Sequence, residues 1–489
     1  MEREGGSREQ RPSSATAIAV TSTELEHAFA EAEGTLGPKH PETLGARGAL
    51  ARGYLSAGRP GEAIALHEKN LAACEELLGP DHADTLRSRN DLAVSYRSAG
   101  RAADAIPLHE RNLSIQERLL GPDHPGTMVT RSNLARAYWA AGRTTAALTA
   151  YRQALADAER VLGPEHAETT ATRDDLASAY RADGRIPESI AMHQQNLAIR
   201  ERRAGPDDPG TLSSRYGLGR AFAAAGRLVD AVPLLQQTAA DRERVLGDDH
   251  PDTLASRNGL AAVYSVAGWY GEAIALHEST VAAAERVLGA DHPDALAYRN
   301  DLAAAYLQAG RTSEATELLE AVIADRERRL GPDHPDTLAS RNDVAAAYAR
   351  AGRVPEAIAI HERNLSDLER LLGGDHPTTL TSRSNLASAY GRIGRLPEAI
   401  ALHSRTLADR ERLLGPDHPT TLSSCNNLAA AYARAGQLHE SITYYKRALA
   451  GRKRVLGNDH PATRASREAL ARVRDRRDAA LLPWRRRHP

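Results

Sequence analysis

The chain has few cysteines and lacks the long apolar stretches that mark secreted or membrane proteins. Its 489 residues include 2 cysteines, Cys74 and Cys425, which match no zinc or disulfide spacing. No run of about 18 apolar residues occurs, which excludes a membrane-spanning helix. The N-terminus lacks the apolar stretch of a secretory signal. Together these absences predict a cytoplasmic protein with free thiols.

An excess of one charge is also missing. The 63 basic and 64 acidic residues give a net charge of −1, so no global field attracts nucleic acid or an anionic membrane. The four lysines, Lys39, Lys69, Lys446 and Lys453, lie outside any Gly-x-x-x-x-Gly-Lys-Ser/Thr phosphate loop. His-Glu-x-x-His and Gly-x-Ser-x-Gly are absent as well. We therefore predict no enzyme activity, no cofactor, and neither nucleic acid nor membrane as a partner.

A 42-residue period dominates the sequence instead. A glycine, preceded by Leu in all cases but one, recurs at this interval without insertion or deletion. These glycines are Gly37, Gly79, Gly121, Gly163, Gly205, Gly247, Gly289, Gly331, Gly373, Gly415 and Gly457. Such self-similarity indicates a stack of supersecondary units.

Each period is predicted to form two helices. Apolar residues at helical spacing run from Pro41 to Ala57, with proline suited to the first turn and Gly58 to the stop. A second helical stripe runs from near Gly61 to Gly79. Short connections make the helices antiparallel, and one pair alone cannot bury its apolar face.

We therefore predict an all-α fold, an α-solenoid, with the following boundaries. Residues 22–478 form one solenoid of about ten repeats, in which 22–36 fit the second helix of a degenerate repeat and 461–478 the first helix of another. Residues 1–21 are predicted to be disordered, and 479–489 to form a basic tail.

The order of Leu92, Ala93, Tyr96, Gly100 and Ala105 resembles the tetratricopeptide repeat. The period and the segments His-Pro-Asp, Asn-Asp-Leu-Ala, Glu-Ala-Ile and Arg-Leu-Leu-Gly are more specifically similar to the kinesin-light-chain type. The resemblance implies a right-handed superhelix whose concave groove, lined chiefly by first helices, binds extended peptides. The N-terminal coiled coil of kinesin light chains is missing, so motor attachment is not implied. Similar arrays resemble the sensor halves of bacterial nucleotide-switch proteins, and the alternative function is a regulatory module acting with an NB-ARC-like signalling ATPase.

Two histidine columns raise the possibility of a metal array. Packed helices lie roughly 8–10 Å apart, too far for one zinc ion that needs bonds of about 2.0–2.1 Å. We predict that the first column lies at helix entrances and hydrogen-bonds the loop and that the second is part of the core or its rim, and we expect no metal. The first column is His40, His82, His124, His166, His250, His292, His334, His376, His418 and His460; the second is His67, His109, His193, His277, His361 and His403.

A glutamate four residues before each glycine and an arginine ten after it form two further columns. The helix connection should bring Glu33 near Arg47 and Glu75 near Arg89, and so on along the chain. We predict inter-repeat ion pairs, each worth ~0–1 kcal/mol if exposed. Display of these arginines to a partner is the competing interpretation. Cys425 and Lys453 interrupt the two columns.

The resemblance places the candidate peptide-binding residues on the first helices, where the repeats differ. Asparagine amides suit capture of a peptide backbone, arginines bind carboxylates, and aromatic rings supply an anchor. The candidates are Asn90, Asn258, Asn300, Asn342, Asn426, Arg52, Arg97, Arg136, Trp139, Arg181, Tyr216, Arg220, Arg350, Arg392 and Arg434. The expected partner is a protein or an extended peptide that combines carboxylates with an apolar or aromatic anchor.

Overall fold

The computed structural model describes residues 14–458 and 460–485, with side chains from residue 23 to residue 479. It contains helices α1–α22 and, within the described residues, no strand. The first helices of the repeats are α2 Pro41–Ser56, α4 Ala83–Ser98, α6 Pro125–Ala140, α8 Ala167–Ala182, α10 Pro209–Ala224, α12 Pro251–Ala267, α14 Pro293–Gln308, α16 Pro335–Arg350, α18 Pro377–Arg392, α20 Pro419–Arg434 and α22 Pro461–Arg485. The second helices are α1 Ser14–Leu36, α3 Pro60–Leu78, α5 Ala102–Leu119, α7 Thr144–Val161, α9 Ile186–Ala204, α11 Leu228–Leu246, α13 Tyr270–Leu288, α15 Thr312–Leu330, α17 Val354–Leu372, α19 Leu396–Leu414 and α21 Leu438–Leu456. The predicted all-α solenoid is confirmed.

Two of the helices extend beyond the predicted boundaries of the solenoid. Helix α1 begins at Ser14 rather than at 22, and α22 continues to Arg485 rather than ending at 478. Both added stretches are rich in alanine, which has the highest helix propensity, so the helices extend by whole turns. Residues 1–13 and 486–489 of the predicted terminal segments lie outside the described residues.

The histidines of the first column cap the first helices. Nδ1 of His82 accepts a hydrogen bond from the backbone N–H of Asp84 at 3.2 Å, and Nδ1 of His250 accepts one from Asp252 at 3.1 Å. Their partners are therefore N–H groups of the first helical turn, which have no acceptor within the helix. The predicted position at the helix entrance is confirmed, with the helix end rather than the loop as partner.

Each pair packs around a leucine and a tyrosine of the first helix. Leu92 is 4% exposed and packs with Ile64 and Leu71, and Tyr96 packs against the same cluster. The tyrosine ring is covered by the arginine of the inner turn, with Arg101 stacked 4.4 Å from the ring centre of Tyr96. The dipeptide Gly-Arg recurs at the turn between the two helices of a repeat, as in Gly100-Arg101 and Gly352-Arg353. The stacking of the arginine on the tyrosine ring explains this recurrence.

The predicted glutamate–arginine pairs all form. Their N–O distances lie between 2.5 and 3.3 Å, and the arginine side chains are at most 18% exposed. Arg173, for example, bonds to Glu159 of the preceding repeat and to Asn196 of its own. These arginines therefore join repeats inside the protein, and the competing interpretation of surface display is wrong.

Successive turns of the superhelix contact each other. Nε2 of His292 lies 3.5 Å from the carbonyl oxygen of Ser56, 236 residues earlier, and Arg329 donates to the carbonyl of Ala57. A methyl group added to Gly58 would lie only 2.6 Å from Cδ of Pro293. The same contact recurs where α4 meets α16, α6 meets α18, α8 meets α20 and α10 meets α22. We call these five contacts the seam; it closes the wall of the solenoid between its two turns.

Candidate functional site

First helices of neighbouring repeats approach one another more closely than second helices do. The first helices therefore lie on the inside of the curve, and the residues opposite their core stripe face the concave surface. This is the face on which the candidate residues were predicted.

The asparagines of this face have partners within the chain. Nδ2 of Asn258 donates to Asp301 at 2.6 Å, and Nδ2 of Asn300 donates to Asp343 at 2.9 Å. The ring of His277, a member of the second histidine column, lies 2.9 Å from the amide oxygen of Asn258. Both asparagines thus connect adjacent first helices, and Asn258 also binds the core histidine.

The remaining three asparagines are engaged through their oxygen atoms. Asn342 is 7% exposed and accepts from Ser382 at 3.0 Å. Asn426 accepts from Ser466 at 3.2 Å, and Asn90 from Asn133 at 2.9 Å. A peptide backbone would have to share or displace these bonds.

The predicted site omitted the acidic residues that stand one position after the asparagine column. Burial raises the pKa of Asp343, which accepts from Asn300, and burial also raises the pKa of Asp175, which pairs with Arg136 at 2.5 Å. The signal was available as the Asn-Asp dipeptide at Asn300 and Asp301.

Four of the predicted arginines form two close pairs on the concave face. Arg97 lies near Arg136, and Arg181 lies near Arg220. Burial, together with the neighbouring cation, lowers the pKa of both Arg97 and Arg181. Among the described side chains, no carboxylate lies within salt-bridge distance of Arg97, Arg181 or Arg220, whereas Arg136 has Asp175. Arg97, Arg181 and Arg220 therefore form no salt bridge among the described side chains, although Asp175, the partner of Arg136, also acts on Arg97.

The two predicted aromatic anchors are half-buried. Trp139 packs against the core cluster that contains Leu148 and Tyr151. The hydroxyl of Tyr216 donates to the carbonyl of Ala255 at 3.1 Å, and Arg220 stacks 5.6 Å from its ring centre. Part of the Tyr216 ring stays accessible beside Arg181 and Arg220, whereas Trp139 lines a cavity at the seam with Gly142, Pro377 and His418.

The remaining predicted arginines are exposed and lie apart from these pairs. Arg52 bonds to Asp91 at 3.4 Å near α2. Arg350, Arg392 and Arg434 stand near the C-terminal ends of α16, α18 and α20, and Arg392 donates to a backbone carbonyl of α16. The structure therefore does not bring all the candidates into one continuous site.

The second histidine column is buried within the repeats. Burial lowers the pKa of His109, His361 and His403 to about 4, so these rings are neutral near pH 7. Within the residues with described side chains, no group of three His, Cys, Asp or Glu is arranged to hold a metal ion. None of the described helices combines the length and the apolar character needed to cross a membrane.

A tetratricopeptide repeat family model matches residues 46–111, 89–160, 168–243, 223–279, 258–328, 336–412 and 384–437, and a second such model matches 421–462. Two crystal structures of a Podosopora anserina kinesin-light-chain candidate with nearly identical TPR-like repeats, one a single-substitution variant, are 34% and 32% identical to this chain. The matches cover 41% and 42% of this chain and 95% and 97% of those chains, with TM-scores of 0.37 and 0.38. The crystal structure of BtubC (BKLC) from P. vanneervenii is 23% identical, with 48% of this chain and 94% of that chain covered and a TM-score of 0.40. No curated protein matches the chain.

Proposed function

Because this chain belongs to the tetratricopeptide repeat family, we propose that it is a non-catalytic scaffold that binds a protein or an extended peptide on its concave face. The observation that carries the proposal is the pair of arginine clusters, Arg97 with Arg136 and Arg181 with Arg220. Three of these four guanidinium groups have no carboxylate partner among the described side chains.

Cations that form no salt bridge among the described side chains favour an anionic ligand. Burial has already weakened the hydration of Arg97 and Arg181, so a carboxylate that bonds to them loses less than it would at a fully exposed site. Tyr216 stands beside the second cluster and offers apolar surface for an anchor side chain, and Trp139 offers a separate apolar surface in the cavity at the seam. The proposed ligand is an acidic segment with an aromatic or apolar residue, and the asparagine column contacts its backbone.

The proposal is tested by selecting binders from a displayed library of random 12-residue peptides. We expect the selected peptides to be enriched in Asp and Glu together with an aromatic residue. The double substitution of Arg97→Ala and Arg181→Ala should weaken binding about tenfold or more, since each lost charged hydrogen bond is worth ~1.5–3 kcal/mol before solvent compensates. Binding should also weaken as salt concentration rises.

The matched control replaces two exposed arginines of second helices. Arg118 and Arg202 pair with Asp81 and Glu165 and are 60% and 65% exposed. Their replacement by alanine removes the same charge from the chain and should leave binding unchanged. Equal weakening in both double variants, or selected peptides without acidic enrichment, would place the interface elsewhere.

A further inference from the structure

Several second helices place an arginine in a buried slot between two first helices. In this slot, Nη1 donates both to the backbone carbonyl ten residues later and to the serine hydroxyl fourteen residues later. Arg242 bonds in this way to Asp252 at 2.9 Å and Ser256 at 2.8 Å, and Arg452 to Ala462 at 3.0 Å and Ser466 at 2.6 Å. Arg200, Arg326 and Arg410 repeat the pattern.

Two positions of the preceding first helix complete the slot. In three of the five slots a hydroxyl 29 residues before the arginine accepts from Nη2, as Ser213 does from Arg242 at 2.9 Å and Thr381 from Arg410 at 3.2 Å. Three residues after that position stands a side chain larger than hydrogen, such as Tyr216 under Arg242. Four of the five arginines are buried, with Arg242 only 3% exposed, and the side chain of Arg200 is 15% exposed.

The equivalent slot between α2, α3 and α4 is vacant because its three filling side chains are missing. Cys74 stands at the position of the arginine, Gly45 at that of the hydroxyl and Gly48 at that of the larger side chain. A cavity of about 660 Å³ lies there, lined by these three residues together with Asp84 and Ser88. A methyl group added to Gly45 would have no atom within 4 Å, whereas one added to Gly48 would lie 3.4 Å from Nδ2 of Asn70 and 3.5 Å from Nη1 of Arg52.

The acceptors of the slot are nevertheless retained. Ser88 stands fourteen residues after Cys74, and Asp84 ten residues after it. Ser88 is 6% exposed, and its hydroxyl lies within hydrogen-bonding reach of the Cys74 thiol, with no other partner among the described atoms. A thiol is a weak hydrogen-bonding group, so the Ser88 hydroxyl keeps the capacity to accept from a ligand.

We infer that this slot is a binding site for the arginine side chain of a protein or peptide partner. The incoming guanidinium takes the place of the resident arginines and donates to the Ser88 hydroxyl and the Asp84 carbonyl. Gly45 is exposed and provides the entrance. The cations at the rim, Lys39, Arg52 and Arg87, already pair with Glu76, Asp91 and Asp84, so they do not define an anion site.

The first test fills the slot from within. An arginine at a buried position normally unfolds a protein, but Cys74→Arg should keep or raise the midpoint of urea unfolding, because its guanidinium meets acceptors in place. Ala284→Arg is the matched control: Ala284 is the equivalent residue of another repeat and is 0% exposed, and Tyr298 stands at the serine position. We expect this control to lower the midpoint strongly. A comparable loss in both variants would overturn the inference.

The second test measures binding of Nα-acetyl-arginine amide by ligand-observed NMR. We expect saturable binding to the full chain and to Cys74→Ser, which keeps the slot vacant, and no binding to Cys74→Arg. Nα-acetyl-lysine amide and Nα-acetyl-aspartate amide should bind at least tenfold more weakly, since neither presents the guanidinium fork. Absence of binding to the wild-type chain, or equal binding of either control compound, would contradict the assignment. Neither test uses a peptide in the concave groove, so a failure here leaves the groove proposal standing.

Discussion

The seam between the two superhelical turns can be tested with one pair of glycine substitutions. Gly142 and Gly352 occupy the same turn in different repeats, both with left-handed backbone, at φ 71° and 83°. Alanine at either site costs ~1–2 kcal/mol because its Cβ disfavours that conformation. At Gly142 the new Cβ would also lie 2.6 Å from Cδ of Pro377, whereas at Gly352 nothing lies within 4 Å.

The additional contact sets the size of the difference. Carbon atoms pack at about 3.5–4.0 Å, and overpacking of this kind costs ~1–3 kcal/mol. Gly142→Ala should therefore lose ~2–5 kcal/mol of unfolding free energy and Gly352→Ala ~1–2 kcal/mol. Urea unfolding followed by circular dichroism at 222 nm measures both losses. Small-angle scattering should show a larger radius of gyration for Gly142→Ala alone, since the turns separate to relieve the clash. Equal losses with unchanged scattering would show that the turns do not touch in solution.

Two further predictions concern buried polar groups. Arg173→Leu should lower the unfolding free energy by ~2–3 kcal/mol, because it leaves the buried amide oxygen of Asn196 without its donor while Glu159 stays solvated. The control Arg370→Leu removes an exposed ion pair and should change the urea midpoint little. His109 has a pKa of about 4 in the folded chain and about 6.5 when unfolded, so stability is full above pH 6.5 and falls as the pH drops from 6.5 to 4. The variant His109→Tyr copies buried Tyr151 of the next repeat and should remove about 3 kcal/mol of that loss at pH 4. Urea midpoints that depend on pH in the same way in the wild-type chain and in the variant would contradict this.

The contacts between neighbouring repeats were predictable from the sequence. Fourteen residues across one antiparallel connection fix which side chains meet, so Glu75 and Arg89 had to be close. Their energetic role was not predictable, because the burial of Arg89 depends on the loop carbonyl of Pro80 and on Asn112 of the same repeat. The predicted value for exposed pairs therefore does not apply to a guanidinium with no exposed surface.

The candidate site was predictable only in outline. Position along the first helix placed Arg97 and Arg181 on the concave face, but their pairing with Arg136 and Arg220 depends on the spacing of adjacent helices. The amides of Asn258 and Asn300 looked free in the sequence and are bonded in the fold, because Asp301 and Asp343 reach them from the next repeat.

The sequence by itself determined the repeat: two helices per 42 residues, the left-handed glycines at both turns, the histidine at the helix entrances and the glutamate partner of each arginine in the arginine column. These features depend on short separations and recur in most repeats, with Asp208 in place of one histidine and Cys425 in place of one arginine, so the pattern identifies them. Only the tertiary structure decided that the turns meet through Ser56 and His292, 236 residues apart, and that the slot at Cys74 is vacant. Superhelical curvature is the sum of small rotations between repeats, and a cavity results from side chains missing on three different helices, so neither is encoded in a local pattern.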